Sequence, residues 1–246
     1  YINSPETPLY NKSKTFYGLD KASNTIKKED SVILVEGYFD LMQLVQNGIK
    51  NVIAISGTSF TDMHASIIKQ YTSNIYIAFD GDAAGGKAAI RTGYTLLKNS
   101  IDSKIIDIPK NYDPDDLIKQ NGPEAFKVLL NDAVHTINFH HKFYIKKNGQ
   151  SIKNYIDEAM NEIVLIREPI FRELSAKRLS EITKVSEENI LISLNNIINK
   201  REKFKSMQPH TDENKMNNIM LLEDDTIRLC LIKEKSIRKF IYENMN

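Results

Sequence analysis

Residues 78–89 read AFDGDAAGGKAA, and the stretch admits two chemistries that exclude each other. Counted from Gly81, the order glycine, four residues, Gly86, Lys87 nearly matches a phosphate-cradling P-loop. Asp80 and Asp82 instead look like the carboxylate pair of a metal site. A P-loop needs Ser or Thr after its lysine, because that hydroxyl ligates the magnesium bound to the nucleotide. Here the residue is Ala88, and Asp82 would push a carboxylate toward the phosphates. The metal reading is the better one, and it requires a strand that ends at the first aspartate.

The flanking sequence supplies that strand. From about Ser31, short β-branched runs alternate with amphipathic segments of helical period. SVILVEG reads as a buried strand, and YFDLMQLVQNG as a helix ended by Gly48, which suits a left-handed cap. Strand NVIAIS, loop GTSFT and a helix through DMHASIIKQY follow. NIYIAFDGD is then strand and turn, GGKAAIRTGYTLLKN helix, and SKIIDIP strand. Strands separated by helices of this length predict parallel pairing through right-handed crossovers, hence an α/β sheet domain over 31–133. From about 134 to 205 the pattern reads as purely helical, with Ser186 and two following glutamates starting the last of these helices. A polar linker over 206–221 precedes one more helical segment.

In an open parallel sheet, ligands sit beyond the carboxyl ends of the strands. Glu36 follows VILV, Asp80 and Asp82 follow IYIAF, and Asp113 and Asp115 lie in NYDPDD after KIIDIP. Residues two apart in extended chain face the same way, so each aspartate pair can enter the crevice, with Gly81 easing one turn and Pro114 stiffening the other. Turns favour aspartate for local reasons too, but five acids at strand ends point to convergence. Converging carboxylates repel unless a cation neutralises them, and such oxygen ligands suit magnesium or manganese.

Bulk composition excludes more than it assigns. Lys and Arg total 33 against 32 Asp and Glu, a net charge of +1, so nucleic-acid binding does not follow from overall charge. Cys230 is the single cysteine, which excludes an intrachain disulfide and a cysteine zinc site within these residues and fits a reducing cytoplasm. No apolar run approaches the ~20 residues of a membrane span, and no secretory signal is recognisable.

VEGYFD (35–40), GTSFT (57–61), FDGDAAGGKAAIRT (79–92) and YDPDD (112–116) resemble the successive motifs of the TOPRIM fold as it occurs in bacterial DNA primases. YINSPETPLYNKSKTFYGLDKA resembles the stretch preceding TOPRIM in that family, so the resemblance covers roughly residues 1–205. It implies a Rossmann-like, mainly parallel sheet flanked by helices, followed by an all-helical subdomain. Residues 1–30 then correspond to the end of the N-terminal subdomain of the polymerase core, 31–133 to TOPRIM and 134–205 to the helical subdomain. Residues 222–246 resemble a truncated start of the helicase-binding domain, through which the parent protein would meet the replicative helicase.

The resemblance also implies an activity: metal-dependent synthesis of RNA primers from ribonucleoside triphosphates on single-stranded DNA at the replication fork. Glu36, Asp40, Asp80 and Asp82 take the catalytic positions. Glu36, Asp80, Asp82, Asp113 and Asp115 take those around Mg2+ or Mn2+, and Lys12 that of a basic residue meeting nucleic acid or nucleotide; Lys87 and Arg91, one helical turn apart after the DGD turn, are placed to meet nucleic-acid or nucleotide phosphate. The family's zinc-binding domain is not present in this sequence. A TOPRIM nuclease and a non-catalytic nucleic-acid-binding fragment remain alternatives. Among lesser candidates, His64 reads as structural, adjacent His140 and His141 as surface residues unable to share a metal, and Cys230 as a buried helix-face residue.

Overall fold

In the computed structural model, described for residues 12–55, 57, 59–146 and 151–207, a five-stranded sheet is flanked by helices and followed by a helical part. A 3₁₀ turn at Lys12–Lys14 leads into α1 (Leu19–Glu29), β1 (Val32–Val35), α2 (Tyr38–Gln46), β2 (Val52–Ala54) and α3 (Asp62–Ile68). Then come β3 (Ile75–Ala78), α4 (Ala83–Lys98), β4 (Ser103–Ile105), α5 (Pro114–Asn121), α6 (Pro123–Asn131) and β5 (Val134–His135). The helical part comprises α7 (Thr136–Lys146), α8 (Ile152–Ile163), α9 (Pro169–Thr183) and α10 (Glu187–Met207). Residues 1–198 form one compact unit; of the second, 199–246, only the last turns of α10 are described, so the expected linker beyond 207, the helical segment over 222–246 and Cys230 lie outside the described residues.

The strand order is β2-β1-β3-β4-β5. β1 pairs in parallel with both β2 and β3, and β3 with β4. The chain therefore leaves β1 toward one side and returns on the other, which puts the switch point between β1 and β3. All four residues of β1 are buried, as a central parallel strand covered on both faces requires.

Alternate residues of the strands feed two cores. Leu34, Ile53 and Ile77 pack with α1, α3 and part of α4, while Ile33, Val35 and Ala78 pack with α2, α5 and α6. α4 serves two masters: Ala89 and Leu96 join the sheet core, and Tyr94 and Leu97 join a third core built from α7 to α10. That shared helix fastens the helical part to the sheet.

Two expectations change here. The region from 134 onward opens on a strand, β5, antiparallel to β4 with Ile105 opposite Val134. A two-residue strand is too short to show periodicity. NYDPDD is not an extended loop either: Asp113 is the N-cap of α5, Pro114 its first residue, and Asp115 lies within its first turn. Proline at that position costs no hydrogen bond, since the N–H it lacks has no partner inside a helix. Gly48, at φ 88°, does follow α2 in the left-handed conformation.

Candidate metal centre

The end of β1 delivers Glu36 and Gly37, and the end of β3 delivers Phe79 and Asp80, side by side at the switch point. The Gly81 N–H donates to the Tyr112 carbonyl at 2.8 Å, tying the Asp80 turn to the segment that carries Asp113. Only glycine fits at 81, because a Cβ there would lie 2.1 Å from the Pro109 carbonyl oxygen. Gly85 is constrained likewise, since a Cβ would meet the Asp80 carbonyl oxygen at 2.3 Å.

Asp40 links the motifs. It is buried, 7% exposed, and its Oδ2 accepts from the Gly37 N–H at 3.1 Å while its Oδ1 accepts from the Asp115 N–H at 3.3 Å. Asp82 is the N-cap of α4, with Oδ1 accepting from the N–H groups of Ala84 at 2.8 Å and Gly85 at 2.7 Å. Those N–H groups are what a P-loop would offer to phosphate, so the carboxylate already occupies that role. Asp82 is thus placed by a helix start, and it is exposed. Asp113 caps α5 in the same manner, with Oδ1 accepting from the Asp116 N–H at 2.6 Å.

Ligand atoms of Asp113, Asp115 and Asp116 lie within 4.8 Å of one another. Asp116 was absent from the acids expected at the centre; its signal is the third acidic residue of YDPDD, which the first helical turn brings back beside the cap. Lys119, one turn later, bonds Asp115 Oδ2.

The electrostatics record crowding of like charge. Glu36 is pushed up to about 7, by burial first and then by Asp80 and Asp82. Asp40 is also pushed up to about 7, by burial and then by Asp113 and Asp80, against the bonds from Asp115 and Gly37. Asp80 is raised by burial, then by Asp113 and Asp82. Glu36 Oε1 is buried with no hydrogen-bond partner among the described residues. Carboxylates that raise one another's pKa, an orphaned carboxylate oxygen and three close oxygen donors fit a divalent cation of the hard, oxygen-seeking kind.

Not every expected residue joins the cluster. Lys12 lines a separate pocket with Tyr17 and Tyr38 that contains none of these carboxylates. Arg91 lines a pocket of about 300 Å³ whose other residues include Glu36. Lys87 is exposed on α4 and, with Arg91, borders a cavity between α4, α7 and α8. His64 is structural: fully buried, with Nδ1 at 3.2 Å from the Thr61 N–H and Nε2 at 2.9 Å from the Lys12 carbonyl. The surface reading of the adjacent histidines is corrected for His140, which is 6% exposed and packed against Tyr94 and Tyr155, while His141 is half-buried. Aromatic residues from α4 and α8 enclose that face of α7, which the local sequence of α7 could not disclose.

Comparison with known proteins accords with this geometry. A family model described as Toprim-like matches residues 33–118. A DNA primase of Staphylococcus aureus (strain COL) is 35% identical over 195 residues, spanning 77% of this chain and 32% of its own length. One from Listeria monocytogenes serovar 1/2a is 32% identical over 219 residues, 86% of this chain and 35% of its own. The chain thus spans about a third of the length of these curated relatives. Among solved structures, the Aquifex aeolicus primase (zinc-binding and RNA polymerase domains) superposes with TM-score 0.67 at 33% identity, covering 78% of this chain and 47% of that one. A DNA primase domain from Pseudomonas aeruginosa gives TM-score 0.67 at 32% identity over 77% of this chain and 62% of that one. A DnaG primase catalytic domain bound to single-stranded DNA gives 0.66 at 27%, over 77% and 62%.

Proposed function

Since this chain belongs to the bacterial DNA primase family and matches the part that holds the Toprim-like fold, we propose that it forms the nucleotidyl-transfer centre of a primase. In this reading it extends RNA primers on single-stranded DNA, the 3′-hydroxyl attacking the α-phosphorus of a ribonucleoside triphosphate and pyrophosphate leaving. The observation that carries the reading is the 2.8 Å bond from Gly81 to Tyr112, which brings the Asp80 turn against the Asp113 cap.

Asp113, Asp115 and Asp116 would hold a divalent cation, with Asp80 and Asp82 beside them across the cleft. Magnesium or manganese is the ion such ligands suit, and it would supply charge compensation and Lewis acidity at the transferred phosphoryl group. Asp40 is a positioning residue, because its two oxygens fix the turn after β1 to the start of α5. Glu36, pushed up to about 7, can hold a proton at its unpartnered Oε1 near neutral pH or release it. Phosphoryl transfer needs positioning and charge stabilisation more than a protein nucleophile, so this set is sufficient equipment. Lys12, Lys87 and Arg91 remain candidates for phosphate contact, and the single-stranded DNA held by the DnaG neighbour favours such a template here. Divisions near 30 and 205 are proposed as the family's subdomain boundaries, with the middle one, expected at 133, moved past β5 because that strand completes the sheet.

The test uses the full-length polypeptide that carries this chain, with single-stranded template, ribonucleotides and magnesium. Short RNA products that vanish on Asp80→Asn support the polymerase reading. A shortened template, with no RNA made, would replace it with a nuclease.

A further inference from the structure

A cavity of about 480 Å³ lies between α4, α7 and α8. Its volume is that of a small-molecule site. Its walls are chemically sorted. Lys87 and Arg91, one turn apart and both exposed, stand on α4; Glu158 and Asn161 stand on α8; Tyr94, His140, Phe143 and Tyr144 supply aromatic surface. None of the metal-centre carboxylates lines it.

Its polar floor is built. Tyr94 Oη and His140 Nδ1 lie 2.9 Å apart, and both residues are buried. If Nδ1 accepts the tyrosine proton, Nε2 carries a hydrogen that faces Glu158 Oε2 at 3.7 Å, beyond hydrogen-bond length. Burial holds the His140 pKa down to about 4, so the imidazole is neutral and keeps one donor and one acceptor nitrogen. The neighbouring Glu162 is engaged by Lys98 at 2.9 Å, which leaves Glu158 as the carboxylate available to a ligand N–H.

We propose that this cavity binds a mononucleotide without metal, its phosphate on Lys87 and Arg91 and its base between the aromatic residues with its N–H edge toward Glu158 and Asn161. The ligand needs a planar aromatic body, N–H donors at one end and negative charge at the other, and a nucleotide has all three. An acidic ligand lacking the base leaves Glu158 repelling it, and a free nucleoside leaves two cations unused. The site also adjoins the cavity beside the metal centre. Phe143 borders both this cavity and the one beside the Asp80 turn, and it packs on Gly86 so closely that a Cβ there would lie 2.4 Å from its ring.

The test is calorimetric titration of the full chain in EDTA with AMP, GMP, CMP and UMP, and with inorganic phosphate and adenosine as partial ligands. EDTA removes any nucleotide binding that depends on the metal centre, so this outcome is separate from that of the primase reading. Saturable binding of at least one mononucleotide is expected, weakened about tenfold or more by Glu158→Gln and by Lys87→Ala with Arg91→Ala, and unchanged by Asp80→Asn. The side chains replaced in the pocket variants, Lys87, Arg91 and Glu158, are exposed, so these variants keep the fold, which their melting curves check. Absence of saturable binding at millimolar ligand, persistence in both pocket variants, or phosphate binding as tight as nucleotide would each overturn the assignment.

Discussion

At Asp40 two opposing effects meet in one side chain, and their sizes decide what a substitution does. Moving the carboxyl from 3.8 to about 7 corresponds to roughly 4 kcal/mol before solvent screening. An acid raised on folding contributes stability that is complete below its unfolded pKa and lost as pH rises through the folded one, here between about 4 and 7. Asp40→Asn removes that titration but turns an amide toward the Gly37 N–H, losing a bond of about 1 kcal/mol. The variant should therefore melt below the parent at pH 5 and above it at pH 8 when metal is absent. Melting curves that never cross between those values would mean that Asp40 is not held neutral by burial and its acidic neighbours. Asp82 separates cap from ligand in a similar way: Asp82→Ser keeps an N-cap oxygen, so stability should stay within about 0.5 kcal/mol while manganese affinity falls. Calorimetric Mn2+ titration beside a melting curve reads both.

Among the elements, legibility followed how much of the cause was local. β1 and β3 announce themselves because strands covered on both faces are continuous apolar runs, and VILV and IYIA are such runs. Their acidic ends at Glu36 and Asp80 could be read for the same reason. The roles of Asp82 and Asp113 were only half legible: their presence at the site follows from strand ends, but each points where a helix cap aims it. β5 and the burial of His140 were illegible, since both depend on partners distant in the chain. Helix α4 shows how such packing can be tested. Its close approach to α7 is set at Gly86 by Phe143, so Gly86→Ala should cost about 1–3 kcal/mol despite alanine's better helix propensity. In the Phe143→Ala background that cost should disappear, the coupling expected of residues in contact. Additive melting shifts in the double variant would refute the steric account.

Over the whole molecule, the acidic cluster makes stability, pH and metal a single linked equilibrium. Without metal, the raised values of Glu36 and Asp40 mean that the folded state binds more protons than the unfolded one up to about pH 7. From these groups alone, stability falls as pH rises through that window. A cation held on Asp113, Asp115 and Asp116 favours the ionised forms of the neighbouring Glu36, Asp40 and Asp80, so a divalent ion should bind more tightly once those carboxyls have ionised. At a hundredfold excess over its dissociation constant, an ion that binds only the folded state adds about 2.7 kcal/mol. In a chain of 246 residues that is a rise of roughly 5–10 °C in melting temperature. Manganese should produce that rise at pH 8 and a clearly smaller one at pH 5, and Asp113→Asn with Asp116→Asn should abolish it at both. Scanning calorimetry at the two pH values, with and without the ion, measures it; an equal rise at pH 5 and pH 8 would show that the metal does not bind where the repelling carboxylates converge.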